Sequence, residues 1–188
     1  MALSSCASIL APRQLGLGAE GGREALTHAA RSYVGSLNED KVFVKIAFSN
    51  AFNSVRRDAI IEAVAEHRSD LLPFVLSAYG SSSHLWTEDE IIFSAEGVQQ
   101  GDPLGPLLFG LALHEPLKQV QSEFVTGYLD DIGLGDSGSR VIQDAVCLEQ
   151  AAERIGLKLL QMSSHWTQRY FTSNLVSWRL RFYELLFG

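Results

Sequence analysis

The stretch Thr126-Gly127-Tyr128-Leu129-Asp130-Asp131-Ile132 sets two adjacent carboxylates between apolar runs. Phe124 to Leu129 reads as a strand and Ile132-Gly133-Leu134 as the start of a second, which puts the Asp pair at the tip of a hairpin. Asp favours turns because its short side chain bonds to nearby backbone groups. Taken alone, the pair therefore reads first as a turn, and any further role depends on its surroundings.

Those surroundings are mixed. Lys41 to Phe48 alternates, with Val42, Val44, Ile46 and Phe48 on one side and Phe43, Lys45 and Ala47 on the other, which predicts a strand with one buried face. Gly21-Gly22 opens a helix whose Leu26, Ala29, Ala30, Tyr33, Val34 and Leu37 share a face. Residues 49–55 form a connector. Arg56 to His67 reads as a helix with Ile60, Ile61, Val64 and Ala65 inward, and a second helix runs from about Asp70 to Tyr79, with Pro73 in its first turn. His84 to Thr87 and Glu90 to Ser94 predict a small hairpin around Glu88-Asp89. Gly97 to Pro106 is a Gly/Pro-rich loop, and Leu107 to about Gln121 is helical with a bend at Pro116. Ser139 to Ile155 repeats Val141, Ile142, Ala145, Leu148, Ala152 and Ile155 on one face, and Gly156 suits its C-terminal cap. Leu157 to Leu160 predicts one more short strand. Helix pairs and hairpins are interleaved and do not alternate one for one, which favours an α+β fold over a doubly wound sheet.

The 188 residues suffice for one domain with a real core. A net charge of −7 excludes a surface coated in basic charge for non-specific nucleic-acid binding, though not a local basic groove. The two cysteines, Cys6 and Cys147, imply neither a disulfide framework nor a cysteine metal cluster. His28, His67, His84, His114 and His165 have no ligand-like spacing, so no zinc site is expected. The N-terminus lacks the pattern of a signal peptide, and no run approaches the length of a membrane span. The expectation is an intracellular protein of the nucleus or cytoplasm, not a secreted one.

Two further stretches carry chemistry: Phe48-Ser49-Asn50-Ala51-Phe52-Asn53-Ser54-Val55, and Gly97-Val98-Gln99-Gln100-Gly101-Asp102-Pro103-Leu104-Gly105-Pro106. Together with Tyr128-Leu129-Asp130-Asp131, and in this order and spacing, they resemble the reverse transcriptases of non-LTR retrotransposons. Pro12-Arg13-Gln14-Leu15-Gly16 and Gly21-Gly22-Arg23-Glu24-Ala25 are similar to the fingers region of some members. The resemblance covers about residues 11 to 160. It implies a fingers–palm domain over residues 1–160, with an antiparallel palm sheet backed by helices, and a divergent tail over 161–188. The implied activity is RNA-directed DNA synthesis on an RNA template and DNA primer from deoxynucleotides. Mg²⁺ would be held by Asp130 and, second, Asp131. Phosphoryl transfer of this kind uses two hard divalent cations and oxygen ligands. Adjacent strand residues point to opposite faces, so the two carboxylates are not equivalent ligands without help from the turn.

By the same resemblance Phe52 lies under the incoming sugar and excludes a 2′-hydroxyl, with an ordinary core role as the other reading. Gln100 and Gly101 support template base and nucleotide, glycine allowing close backbone approach. Tyr128 would pack near the primer end. Arg13, Lys45, Arg56 and Arg57 could contact phosphates or be solvated charges, and the surface reading is preferred for Arg56 and Arg57. The sequence departs from the family in three places. Ala47 stands where the first palm strand carries a metal-binding carboxylate. Leu160 stands at the position of an Asn, and Ser163 lies near that of a Lys that could serve as general acid. The helical thumb is missing. These departures predict little or no polymerase activity. The alternative is a non-catalytic scaffold derived from a reverse transcriptase that binds RNA or a protein partner.

Overall fold

The computed structural model describes residues 8–38, 40–87 and 90–165. Expectations for Glu88-Asp89, the Ser163 side chain and the tail past His165 lie outside the described residues. In chain order the elements are α1 (Gly22–Gly35), β1 (Lys41–Ser49), α2 (Ala51–Ser54), α3 (Arg57–His67), a 3₁₀ turn (Ser69–Leu71), α4 (Leu72–Tyr79), β2 (Ser83–Trp86), β3 (Ile91–Ser94), α5 (Gly105–Lys118), β4 (Phe124–Tyr128), β5 (Asp131–Ser137), α6 (Gly138–Arg154) and β6 (Lys158–His165). The fold is α+β, as the interleaving of patterns predicts.

Four strands form one antiparallel sheet in the order β4-β5-β1-β6, and β2 pairs with β3 in a separate hairpin. Strand β1 is central. Its Val42, Val44, Ile46 and Phe48 are buried, as their period of two requires. Helix α6 packs on this sheet, contributing Val141, Ala145, Leu148 and Ala152 to the core. Helix α5 is apolar on nearly every side and lies between α3 and α6, the signature of a helix enclosed by other elements. The N-terminal segment closes over it, since Leu10 and Leu17 press against Gly110.

On the sheet's other face, Gly133 and Gly135 leave room for rings. Tyr33 of α1 stacks on Phe124 with centroids 4.6 Å apart, and Phe43 meets Phe124 edge-on at 5.9 Å. A Cβ on Gly135 would lie 2.2 Å from the Tyr33 ring, so α1 can dock only over a glycine. The remainder of that face, carrying Lys45 and Asp131, is open to solvent.

The structure adjusts several expectations. Ala63, not Ala65, faces inward on α3, because the inward stripe follows the 3.6-residue period from Ile60 through Ala63 and Val64. Ala29 of α1 is exposed, and α1 docks through the half-buried Leu26, Ala30, Tyr33 and Val34. Helix α5 starts at Gly105, two residues early, with Pro106 in its first turn, where no N–H partner is needed; in the turn before it the Asp102 carboxylate accepts the Leu104 N–H at 2.8 Å. Pro116 lies inside α5, which continues to Lys118. Strand β6 extends to His165, through pairing with β1 from Phe43 to Ser49. Among the described residues, no helix is long and apolar enough to cross a membrane.

The tip of the β4–β5 hairpin is held from outside. Tyr128 pairs with Asp131, leaving Leu129 and Asp130 as a two-residue loop, and Leu129 has φ 58°. That left-handed conformation costs a leucine about 1–2 kcal/mol. Gln14, 2% exposed, grips the same residue twice: its Oε1 accepts the Leu129 N–H at 2.6 Å and its Nε2 donates to the Leu129 carbonyl at 3.0 Å. The neighbouring backbone bond from Leu15 N–H to the Gly127 carbonyl, 2.8 Å, ties the segment to β4. Gln14→Ala strands both Leu129 groups and should destabilise the chain by about 3 kcal/mol, read as a fall in the urea midpoint at unchanged slope.

A second support lies at the other end of the hairpin. Asp136 accepts the N–H groups of Ser137 and Glu123 at 2.6 and 2.9 Å. Burial raises its carboxyl pKa, but these backbone donors outweigh it and the net value lies below the ordinary range. A depressed carboxylate contributes its full stability above the unfolded-state pKa, about 3.9, and loses it as pH falls through the folded value. Asp136→Asn should therefore flatten the stability–pH curve below about pH 4, measured by urea unfolding at each pH.

Candidate active site

The sheet topology brings three sequence stretches to one edge. Strand β1 runs toward its end at Ser49 beside the start of β5, with Ile46 opposite Ile132. The next step in that register sets Ala47 beside Asp131. On its other side Ala47 pairs with Gln161, and the β1–β6 register shifts between Ala47 and Phe48. A bulge here bends the central strand where the hairpin tip meets it. The chain leaves β1 through Asn50, whose φ of 46° lies in the left-handed region that Asn tolerates better than most residues, and enters α2.

The Gly/Pro loop is bound to that connector. Gly97 N–H donates to the Val55 carbonyl at 2.8 Å, and Val98 N–H to the Phe52 carbonyl at 2.8 Å. Gln100 Nε2 donates to Asn53 Oδ1 at 2.8 Å, and Asn53 Nδ2 to Asn50 Oδ1 at 2.6 Å. Gln100 is thus coupled through Asn53 to the end of β1. Gly97 has φ 71°, and a Cβ there would lie 2.5 Å from the Asn53 carbonyl oxygen. Gly101 also has a left-handed φ, 85°, but a Cβ there would meet nothing within 4 Å. One glycine is demanded by packing. The other leaves open space beside the loop.

Phe52 is half-buried and stacks on Phe109 of α5, centroids 4.4 Å apart and planes 17° from parallel. Its ring is therefore part of the core while its edge remains reachable. Asp131 is exposed, and its carboxylate forms an ion pair with Lys45 at 2.9 Å, both side chains about half accessible. Asp130, in the loop, is half-buried, and Tyr128 is 36% exposed. The structure thus places Ala47 one residue past the last β1–β5 pair, at the end of the sheet where β5 starts, and joins Gln100 to the connector that carries Phe52.

The preference for a surface Arg57 is overturned. Arg57 is 6% exposed, because its guanidinium donates to the Gly97 and Ser81 carbonyls, both at 3.2 Å, and to Ser94 Oγ at 3.1 Å. It also lies 5.4 Å from the Tyr79 ring centroid. Tyr79, buried, donates its hydroxyl to Asp102 and accepts the Gln99 N–H at 3.2 Å. Burial and the Asp102 carboxylate push its pKa up to about 12. Buried Arg57 and Tyr79, with the half-buried Asp102, form the underside of the Gly/Pro loop. Arg56 is a surface residue, paired with Asp58. Arg13 donates to the Leu117 carbonyl. Sequence reading missed Gln14, Tyr79 and Asp102 as supports of the site, since their partners lie between 20 and 115 residues away in the chain.

The comparisons with known proteins agree with this geometry. Residues 2–170 match the family described as reverse transcriptase (RNA-dependent DNA polymerase). The chain is 29% identical over 125 residues to the retrotransposable element SLACS 132 kDa protein of Trypanosoma brucei gambiense, covering 57% of this chain and 10% of that protein. It is 25% identical over 143 residues to the retrovirus-related Pol polyprotein from type-2 retrotransposable element R2DM of Drosophila melanogaster, covering 73% of this chain and 12% of that protein. The chain thus spans about a tenth of the curated relatives it matches. Apo telomerase from Candida tropicalis superposes with a TM-score of 0.60 at 8% identity, over 78% of this chain and 33% of that one. Telomerase from Candida albicans, solved with a fragment of telomeric RNA, gives 0.52 at 8% identity, over 77% and 30%. The telomerase likeness concerns the fold, an antiparallel sheet and helices in a fingers–palm arrangement, and enzymes of this family work with divalent metal ions. The chain belongs to the reverse transcriptase family, as a domain of the non-LTR retrotransposon type.

Proposed function

We propose that this chain is the fingers–palm part of a retrotransposon RNA-directed DNA polymerase whose catalytic centre is impaired, with Ala47 as the principal defect. The observation that supports the reading is the register of β1 against β5: continued one step past its last pair, Ile46 with Ile132, it would bring a methyl group toward Asp131, where a third oxygen ligand is needed. Among the described residues, no third Asp, Glu, His or Cys joins Asp130 and Asp131 to form a three-ligand cluster. One of the two carboxylates is also engaged by Lys45. The donors present do not fit a two-cation centre, and they match at best one weakly held Mg²⁺ completed by water and substrate phosphates.

The binding surfaces are better kept than the metal site. The open space beside Gly101 and the Gln100–Asn53 contact support a seat for template base and deoxynucleotide. Phe52, with its ring fixed on Phe109, supports exclusion of a 2′-hydroxyl by shape. RNA template and DNA primer would lie across the open half of the sheet, near Lys45 and Tyr128. With a net charge of −7, RNA affinity should be weak in filter binding, with a shallow salt dependence. A second reading, a non-catalytic scaffold that binds a protein partner, is favoured by one feature. The β2–β3 hairpin exposes Trp86 at 77% and Phe93 at 64%, apolar area that usually marks a contact surface.

In primer extension with Mg²⁺ or Mn²⁺, the chain should give no product above background. Synthesis at an ordinary enzymatic rate, about 1–10³ s⁻¹, would overturn the reading. Ala47→Asp should tighten Mn²⁺ binding at least about tenfold by calorimetry, since it restores an oxygen donor beside Asp131. The two loop glycines separate fold from function. Gly97→Ala should cost about 3 kcal/mol in urea unfolding, from left-handed strain and the clash with Asn53. Gly101→Ala should cost only about 1 kcal/mol.

A further inference from the structure

We propose that His67, His114 and Glu115 form a binding site for one divalent transition-metal ion of the zinc type, bracing the end of α3 against the C-terminal part of α5. No motif announces this cluster, because His67 lies 47 residues before His114 in the chain. Folding assembles it. The ligand atoms of the three residues lie within 4.8 Å of one another. His67 Nε2 is 3.1 Å from Glu115 Oε1, and the two imidazole rings stand nearly perpendicular, 86°, with centroids 5.4 Å apart. Donors around a tetrahedral zinc ion, each about 2.0–2.1 Å from the metal, sit roughly 3.3 Å from each other. One contact already has that spacing, and rotation of side chains by about an ångström closes the others.

The donor chemistry selects the ion. Two imidazoles and one carboxylate suit zinc, nickel, cobalt or copper, whereas magnesium prefers an all-oxygen set. The cluster is separate from the Asp130–Asp131 hairpin and shares no residue with it. The His67 side chain is 14% accessible, so the site is sheltered yet can be reached from solvent. Burial, and then the neighbouring His67, push the His114 imidazole below the usual histidine range, which favours the neutral form that ligates.

The charged groups around the site are Glu66, Lys118 and Arg13. Lys118 Nζ contacts Glu115 Oε1 at 2.9 Å and competes for the carboxylate that the metal needs. That pair is exposed, and such pairs are weak enough for a metal to displace. Glu66 Oε1 lies 3.9 Å from His67 Nε2, outside the three-residue cluster, and bears on it through charge. Arg13 is engaged by the Leu117 carbonyl and bears on His114 only through its charge. The bland alternative is that His67 and Lys118 simply share Glu115 as surface partners. It predicts no metal affinity beyond that of scattered histidines.

The test uses the full, tag-free chain stripped with chelator and titrated with Zn²⁺ alone by calorimetry. One ion per chain should bind, and the thermal unfolding midpoint should rise with Zn²⁺ concentration. His67→Gln and His114→Gln should each weaken binding at least tenfold, while Lys118→Met should leave it unchanged or tighten it a few-fold. Binding by the double histidine variant at unsubstituted affinity would overturn the proposal, as would absence of a one-to-one event. Copper(II) electron paramagnetic resonance on the unsubstituted chain decides the matter even if the variants misfold. Two nitrogen donors without sulfur are expected, and a spectrum with sulfur ligation or no nitrogen coupling would overturn the assignment.

Discussion

One glutamine side chain holds the part of this fold on which the palm depends. A two-residue hairpin loop that places a leucine at φ 58° is unfavourable on its own, since a left-handed leucine crowds its following carbonyl. Gln14, itself 2% exposed, meets that leucine with an acceptor for its N–H and a donor for its carbonyl, both bonds part-buried. Buried polar groups without partners are expensive, so the bonds are worth more here than at a surface. The same segment bonds to β4 through Leu15 and covers α5 with Leu10 and Leu17. The N-terminal strap is therefore not an appendage. It fixes the angle at which Asp130 and Asp131 leave the sheet.

The loop opposite is held on a comparable principle. Arg57 and Tyr79 bond the loop backbone from below, Tyr79 donates to Asp102, and the Asp102 carboxylate bonds the turn that leads into α5. These are the groups whose replacement would leave charge or hydroxyl stranded in the interior. Ala47 differs in kind. It lies half-buried on the sheet face at a bulge, makes no polar contact that folding requires, and packs without penalty. The fold-determining bonds and the proposed metal ligands are thus separate sets of atoms, so a change at position 47 can remove chemistry while the palm keeps its shape.

Much of this was legible in the sequence, and the limits have physical causes. The strand Lys41–Ser49 and helix Gly138–Arg154 follow from strong local periods, because each buries a single face. The hairpin around Asp130–Asp131 follows from two apolar runs with a polar tip. Ala63 replaced Ala65 in the core because a short stripe of small residues carries little signal. Arg57 was misread because arginine is usually solvated, and only the tertiary fold supplies the two carbonyls and the hydroxyl that accept its donors. Gln14 escaped for the same reason: its partner Leu129 is 115 residues away.

Charge at the sheet edge extends the reading of Ala47. Asp130, Asp131 and Lys45 together carry one net negative charge, whereas a pair of divalent cations brings four positive charges and needs anionic donors to offset it. Substrate phosphates supply part of that in any nucleotidyl transfer, but they arrive only with the cations. A centre that must hold its metals before or with the nucleotide has to supply carboxylates of its own. Lys45, 2.9 Å from Asp131, is an exposed partner that a cation can displace, so it offsets charge without occupying the carboxylate. On the proposed function, alanine at position 47 would leave the charge of the cations to be offset by Asp130, Asp131 and substrate phosphates alone.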